Sequence, residues 1–85
     1  MKSAEETEAM FRDFSGELAL ARESTGKSMR EVAEAAGVSR AGIARLEAGE
    51  RVATLRSLVG LSVALPVRFE VENGVARVVI LVAQP

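Results

Sequence analysis

Ser28-Met-Arg-Glu-Val-Ala-Glu-Ala-Ala-Gly-Val-Ser-Arg-Ala-Gly-Ile-Ala-Arg-Leu46 is the segment around which the rest of this 85-residue chain is organised. Ser28 and Glu31 stand at capping-box spacing, where the serine oxygen accepts from the amide three residues on and the glutamate reaches back. The helix they open carries Val32, Ala33 and Ala36 on its apolar side, and Gly37 ends it in a conformation that favours glycine. Val38 plugs the turn, Ser39 caps a second short helix, and Ile43 and Leu46 form that helix's inner side. Ala33 is small enough to let the two helices approach closely. Arg40, Ala41, Ala44 and Arg45 are left facing outward.

On the N-terminal side, Phe14, Leu18 and Ala21 recur at i, i+4 and i+7, one face of a helix that stops at Gly26. Its start has two candidates, a Ser3-Ala-Glu-Glu6 capping box and an Asp13 cap. Gly16 would weaken a helix through both by about 1 kcal/mol, so residues 1–12 are expected to form a separate acidic arm and residues 13–65 the folded domain. On the C-terminal side, Gly49 closes the second short helix. A fourth helix runs from a Thr54 cap through Leu55, Leu58, Val59, Leu61 and Val63 until Pro66 blocks it.

Past Pro66 the period falls to two, so residues 66–85 form a hairpin. Val67, Phe69 and Val71 alternate with Arg68, Glu70 and Glu72, and Asn73-Gly74 is a strong signal for a type I′ turn. A two-residue loop pairs Glu72 with Val75, Val71 with Ala76, Glu70 with Arg77, Phe69 with Val78, Arg68 with Val79 and Val67 with Ile80. Val67, Phe69, Val71, Ala76, Val78, Ile80 and Val82 then share the face that covers the helices, and Glu70 meets Arg77 on the other. Val79 and Leu81 fall on that outer face, on a strand whose far edge lacks a partner in this reading. Such an edge invites pairing, and the expected cover is the same strand of a second copy across a two-fold axis, with Val75, Arg77, Val79 and Leu81 at the interface. The alternative is a monomer shielded by residues 1–12 or by Ala83–Pro85.

Composition narrows the function. The chain is 48% hydrophobic and 27% charged, a globular profile. Its longest apolar run, Val78 to Ala83, is far short of the ~20 residues of a membrane span, and Glu5, Glu6 and Glu8 stand where a secretory signal would be apolar. No membrane partner is expected, and the location is cytoplasmic. With neither cysteine nor histidine, thiolate sites, disulfides and the commonest general base are excluded; no cofactor or metal is expected. Glu31 and Glu34, three apart on one helix, read as a solvated face and not as a catalytic pair. The net charge of −1 conceals an asymmetry: residues 22–56 hold seven basic against five acidic side chains, while residues 1–21 are acidic overall. That places the basic footprint on the central segment.

A helix, a glycine-containing turn of about four residues and a second short helix make a helix-turn-helix, whose second helix enters the DNA major groove. The sequence resembles the phage repressor and Cro type of helix-turn-helix protein, the XRE class. The resemblance rests on Leu18-Ala-Leu-Ala-Arg22, Ser28-Met-Arg-Glu-Val-Ala33, Ala36-Gly-Val-Ser39, Ile43-Ala-Arg-Leu-Glu47 and Ala48-Gly-Glu-Arg51, and spans about residues 14–65. It implies a mainly α, four-helix, lambda-repressor-like domain followed by the β-hairpin. It further implies a structural ion pair between Arg22 and Glu47, and base-reading positions at Arg40, Ala41, Ala44 and Arg45, with Arg45 the first candidate. Phosphates are expected at the helix starts, Ser28, Met29, Arg30 and Ser39, and at Lys27, Arg51 and Arg56. Three residues or elements depart from the family pattern: Met29 replaces a polar residue, Lys27 an apolar one, and the hairpin a fifth helix.

The implied function is a homodimeric transcriptional repressor, of prokaryotic or phage type and not an enzyme, that binds double-stranded DNA at a pseudo-palindrome with half-sites ~34 Å apart. The alternatives are an antitoxin, which would also bind a toxin protein and repress its own operon, and a protein-binding adaptor without DNA affinity.

Overall fold

The computed structural model describes residues 3–81. It folds into helices α1 (Ala4–Ser24), α2 (Met29–Ala36), α3 (Arg40–Glu47) and α4 (Leu55–Ala64), then strands β1 (Val67–Glu72) and β2 (Val75–Ile80). The strands form one antiparallel hairpin in the register expected from the two-residue loop, Val67 opposite Ile80 through Glu72 opposite Val75. Asn73 and Gly74 both have positive φ, 51° and 76°, as the type I′ turn requires. Leu18, Ala21, Val32, Ala33, Ile43, Leu46, Leu61, Ala64, Leu65, Val67 and Val78 make one buried core, drawing on every element. None of the described helices is long and apolar enough to cross a membrane.

The first helix begins earlier than the glycine suggested. Ser3 caps it, its hydroxyl accepting from the Glu6 amide at 3.2 Å, and α1 runs unbroken through Asp13 and Gly16. There is no structural break at residue 12, so residues 4–12 are the first turns of α1 and not a separate arm. The ~1 kcal/mol cost of Gly16 is offset by the burial of Leu18 and Ala21 and the partial burial of Phe11 and Phe14 on the same helix.

The hairpin departs from expectation in three ways. Val67, Phe69 and Val78 lie against the core, and Phe69 packs on Phe14 with ring centroids 5.8 Å apart. Val71, however, is 78% exposed near the turn and Ile80 is 37% exposed at the other end of the hairpin, so neither is covered by the helices as expected. Val82 lies outside the described residues, as do Ala83–Pro85. Glu70 and Arg77 are register partners but not an ion pair. Arg68 holds Glu70 along its own strand at 2.9 Å, and Arg77 turns to Glu17 of α1 at 3.4 Å.

At the β2 edge, Glu17 of α1 supplies a partner from within the chain. The Val78 amide donates to Glu17 Oε1 at 2.8 Å, so a carboxylate from α1 sits where the carbonyl of an added strand would have to lie. Pairing of β2 with its own copy through Val75, Arg77, Val79 and Leu81 would require Glu17 to release the Val78 amide. Arg77 is already engaged and Val79 is half-buried.

Candidate nucleic-acid interface

The reading helix is short, and its position is set from both ends. At its start, Ser39 Oγ accepts from the Gly42 amide at 2.9 Å. At its end, Glu47 receives a two-pronged hydrogen bond from Arg22, Nε to Oε2 at 2.7 Å and Nη2 to Oε1 at 3.1 Å. The third guanidinium nitrogen donates to the Lys27 carbonyl at 2.9 Å, so one arginine ties α1 to the end of α3 and to the segment before α2. The two side chains are only 14% and 7% exposed. The hydrogen bond to Glu47 raises the arginine's pKa above its ordinary value, outweighing the opposing effect of burial.

Between these clamps, Gly42, Ile43 and Leu46 are buried, while Arg40, Ala41 and Arg45 are exposed and Ala44 is half-buried. The four sequence-predicted reading positions thus share the outer surface of α3. Among the described residues neither Arg40 nor Arg45 forms an ion pair. Their guanidinium groups are available for the two acceptors, O6 and N7, that guanine shows in the major groove.

The two helix starts differ in what they offer a phosphate. At α3 no acid occupies the first turn. The Arg51 guanidinium lies over that turn, so close that a Cβ on Gly42 would meet Nη1 at 3.3 Å. Helix dipole, amides and arginine there all favour an anion. At α2 the capping box is complete: the Ser28 amide donates to Glu31 Oε1 at 2.9 Å, and the Glu31 amide to Ser28 Oγ at 3.1 Å. A carboxylate already occupies that helix start. Met29 packs on the core, which leaves only its backbone for a ligand. Arg30 is exposed in a loose pair with Glu34 at 3.6 Å. Arg56, with Arg51, Thr54 and Ser57, lines a groove between the α2–α3 turn and the start of α4.

Lys27 is employed differently from expectation. Its ammonium donates to the Ala64 carbonyl at 2.9 Å, satisfying a carbonyl in the last turn of α4, where a cation also meets the negative end of the helix dipole. This contact explains why a lysine stands where the family has an apolar residue. It spans 37 positions in the chain and left no local trace in the sequence. Glu17 was likewise passed over, although it stands on the flank of the Phe14–Leu18–Ala21 stripe, a place where an acid needs a partner.

The capping box gives a pH-dependent contribution of known sign. Hydrogen bonds from the Ser28 backbone and then its side chain hold the Glu31 carboxyl below the ordinary glutamate value. A lowered folded-state pKa stabilises the protein above the ordinary value, and that stabilisation is lost as pH falls through the folded one. Thermal unfolding of wild type and Glu31→Gln, followed from about pH 7 down to about pH 2, should show the wild type more stable at neutrality and the two curves converging in acid. A constant difference across the range would contradict this assignment.

A helix-turn-helix family model matches residues 18–71. No curated relative matches the chain by sequence. Among solved structures, the restriction-modification controller protein C.AhdI from Aeromonas hydrophila is similar. It is 25% identical, with a TM-score of 0.60 over 66% of this chain and 83% of that one. With the family model covering more than half of the chain, the chain belongs to the helix-turn-helix family of DNA-binding transcription regulators, in its phage repressor and Cro (XRE) class.

Proposed function

We propose that this protein is a homodimeric, sequence-specific repressor that reads a pseudo-palindromic operator with α3 and acts at the DNA, in the cytoplasm. The observation that carries the reading is the pair Arg40 and Arg45, exposed and free of ion pairs on a helix whose opposite side is fully locked into the core. A packing module has no use for two unpaired arginines there. Arg45, with Arg40, Ala41 and Ala44 beside it, takes the bases. Phosphates fall to Ser39 and Arg51 at the α3 start, with the exposed side chains of Arg30 and Arg56 flanking them. Such contacts set register and carry little sequence information. The similarity to a restriction-modification controller protein supports a regulatory role.

The test is fluorescence anisotropy on a duplex selected from random DNA by the wild-type protein, across a salt series with nonspecific competitor. Arg45→Ala should weaken the selected duplex by roughly 10- to 100-fold, ~1–3 kcal/mol, and relax base preference at one position. Arg51→Ala should weaken every sequence alike and reduce the salt slope by about one. Selection that enriches no motif, or an Arg45→Ala protein that binds as wild type does, would sink the reading.

A further inference from the structure

The N-terminal half of α1 and the start of β2 form the two walls of an open groove of about 450 Å³. On the α1 wall Glu6, Ala9, Met10 and Asp13 recur at i, i+3, i+4 and i+7, one helix face with two acids bracketing an apolar centre. Val75 and Ala76 continue the apolar floor across to β2. Ala9, Met10 and Ala76 are half-buried and Val75 is 40% exposed, so the floor is open to a ligand. Among the described residues neither Glu6 nor Asp13 is in an ion pair. Arg77, the one cation that lines the groove, is already held by Glu17 at 3.4 Å. The groove is therefore apolar along its base and negative along its rim. Every residue lining it falls outside the stretch 18–71 that the family model matches, so it is an addition to the shared DNA-binding core.

We infer that this groove docks a basic, amphipathic helix of a protein partner. Charge selects the partner. Glu6 and Asp13 repel DNA and anionic lipid headgroups, and a second copy across a two-fold axis would set those acids against themselves. Backbone geometry selects a helix. A strand added to β2 would need the Val78 amide, which already donates to Glu17 Oε1 at 2.8 Å. A helix lying along α1 needs no such donor. It fills the floor with apolar side chains at its own i+3 and i+4 positions. Lysine or arginine at i and i+7 then meets the two acids, which stand two turns, ~10 Å, apart on α1.

Phage display on the full wild-type chain tests this, using random peptides of about 16 residues, roughly four helical turns. The best-enriched peptide is then synthesised and its binding followed by fluorescence anisotropy. Enriched sequences should carry lysine or arginine two turns apart around apolar residues. The double variant Glu6→Lys, Asp13→Lys should weaken the synthetic peptide by roughly 10-fold or more, since attraction becomes repulsion. Met10→Glu removes part of the floor but adds an acid, and should also weaken binding by roughly 10-fold; Ala9→Glu replaces it if circular dichroism shows Met10→Glu unfolded. No enrichment, or enrichment of neutral or acidic peptides, would overturn the docking site. So would a charge-reversed variant that binds as wild type does, or a Met10→Glu protein that binds as tightly, because the attraction would then be general electrostatics and not docking. Binding is measured without DNA, so the result stands apart from the operator reading.

Discussion

Replacing Arg22 by alanine should cost this domain roughly 3–5 kcal/mol, because it leaves Glu47 buried and charged without its partner. The direct gain from the pair is smaller than that loss. Two ions had to leave water to form it, and their attraction only partly repays the desolvation. The geometry nevertheless makes the loss severe. Glu47 is 7% exposed and receives two guanidinium hydrogen bonds at 2.7 and 3.1 Å, so water cannot easily replace them. For a domain of this size, 3 kcal/mol lowers Tm by roughly 12 °C or more. Urea denaturation of Arg22→Ala, Glu47→Ala and the double variant closes the cycle. The double variant should lose much less than the two single losses added together. Substituting both by apolar residues, Arg22→Met with Glu47→Leu, should recover most of the stability. A loss below about 1 kcal/mol in Arg22→Ala, the range of an exposed pair, would show that the pair is solvated and the argument wrong.

The same pair bears on DNA reading through mechanics and not through contact. An eight-residue helix is too short to persist alone in water, and α3 carries the residues proposed to read DNA between the Ser39 cap and the Glu47 clamp. Loss of either anchor frays an end of the surface that must enter the groove in one orientation. The α3 start is without an acid and overlaid by Arg51, whereas α2 has a glutamate at its own start. Two helices of equal length thus divide the labour: α2 is a closed structural element and α3 an open one.

What was legible in the sequence follows from how local each signal is. The caps at Ser28, Ser39 and Thr54 act over three residues, and all three are formed in the structure. The hairpin register was legible because a two-residue turn leaves one alignment. The start of α1 was misjudged because a local penalty at Gly16 was weighed without the tertiary burial that outweighs it. Lys27 to Ala64 and Glu17 to Val78 are separated by 37 and 61 residues, and no local pattern encodes which distant backbone group a side chain will reach. The cross-strand pair of Glu70 and Arg77 failed for the same reason, since each found a better-placed partner. The outer side of α4 was hidden by composition: with six apolar residues in ten spread around the helix, the sequence does not show which of them the core will leave uncovered.

Gly60 carries the second large effect, and here local propensity and packing pull in opposite directions. Taken as an isolated helix position, Gly60→Ala should stabilise α4 by about 1 kcal/mol. In the folded chain the new Cβ would overlap the Ala36 carbonyl oxygen and stand 3.1 Å from its carbon. Both atoms belong to the backbone at the end of α2, so no side-chain rotation relieves the clash and the helices must separate. Separation loosens Val32, Ala33 and Leu61, which are buried where α2 and α4 meet. Overpacking against a rigid neighbour reaches or exceeds the upper end of its usual range, ~3 kcal/mol, and so outweighs the propensity gain. Gly60→Ala should therefore lower stability by about 2–3 kcal/mol, whereas Gly16→Ala, with nothing within 4 Å of its Cβ, should raise it by about 1 kcal/mol. Chemical denaturation of the two variants side by side measures packing against propensity in one protein. If both substitutions stabilised, α2 and α4 would have to be less closely apposed than the Ala36 contact requires.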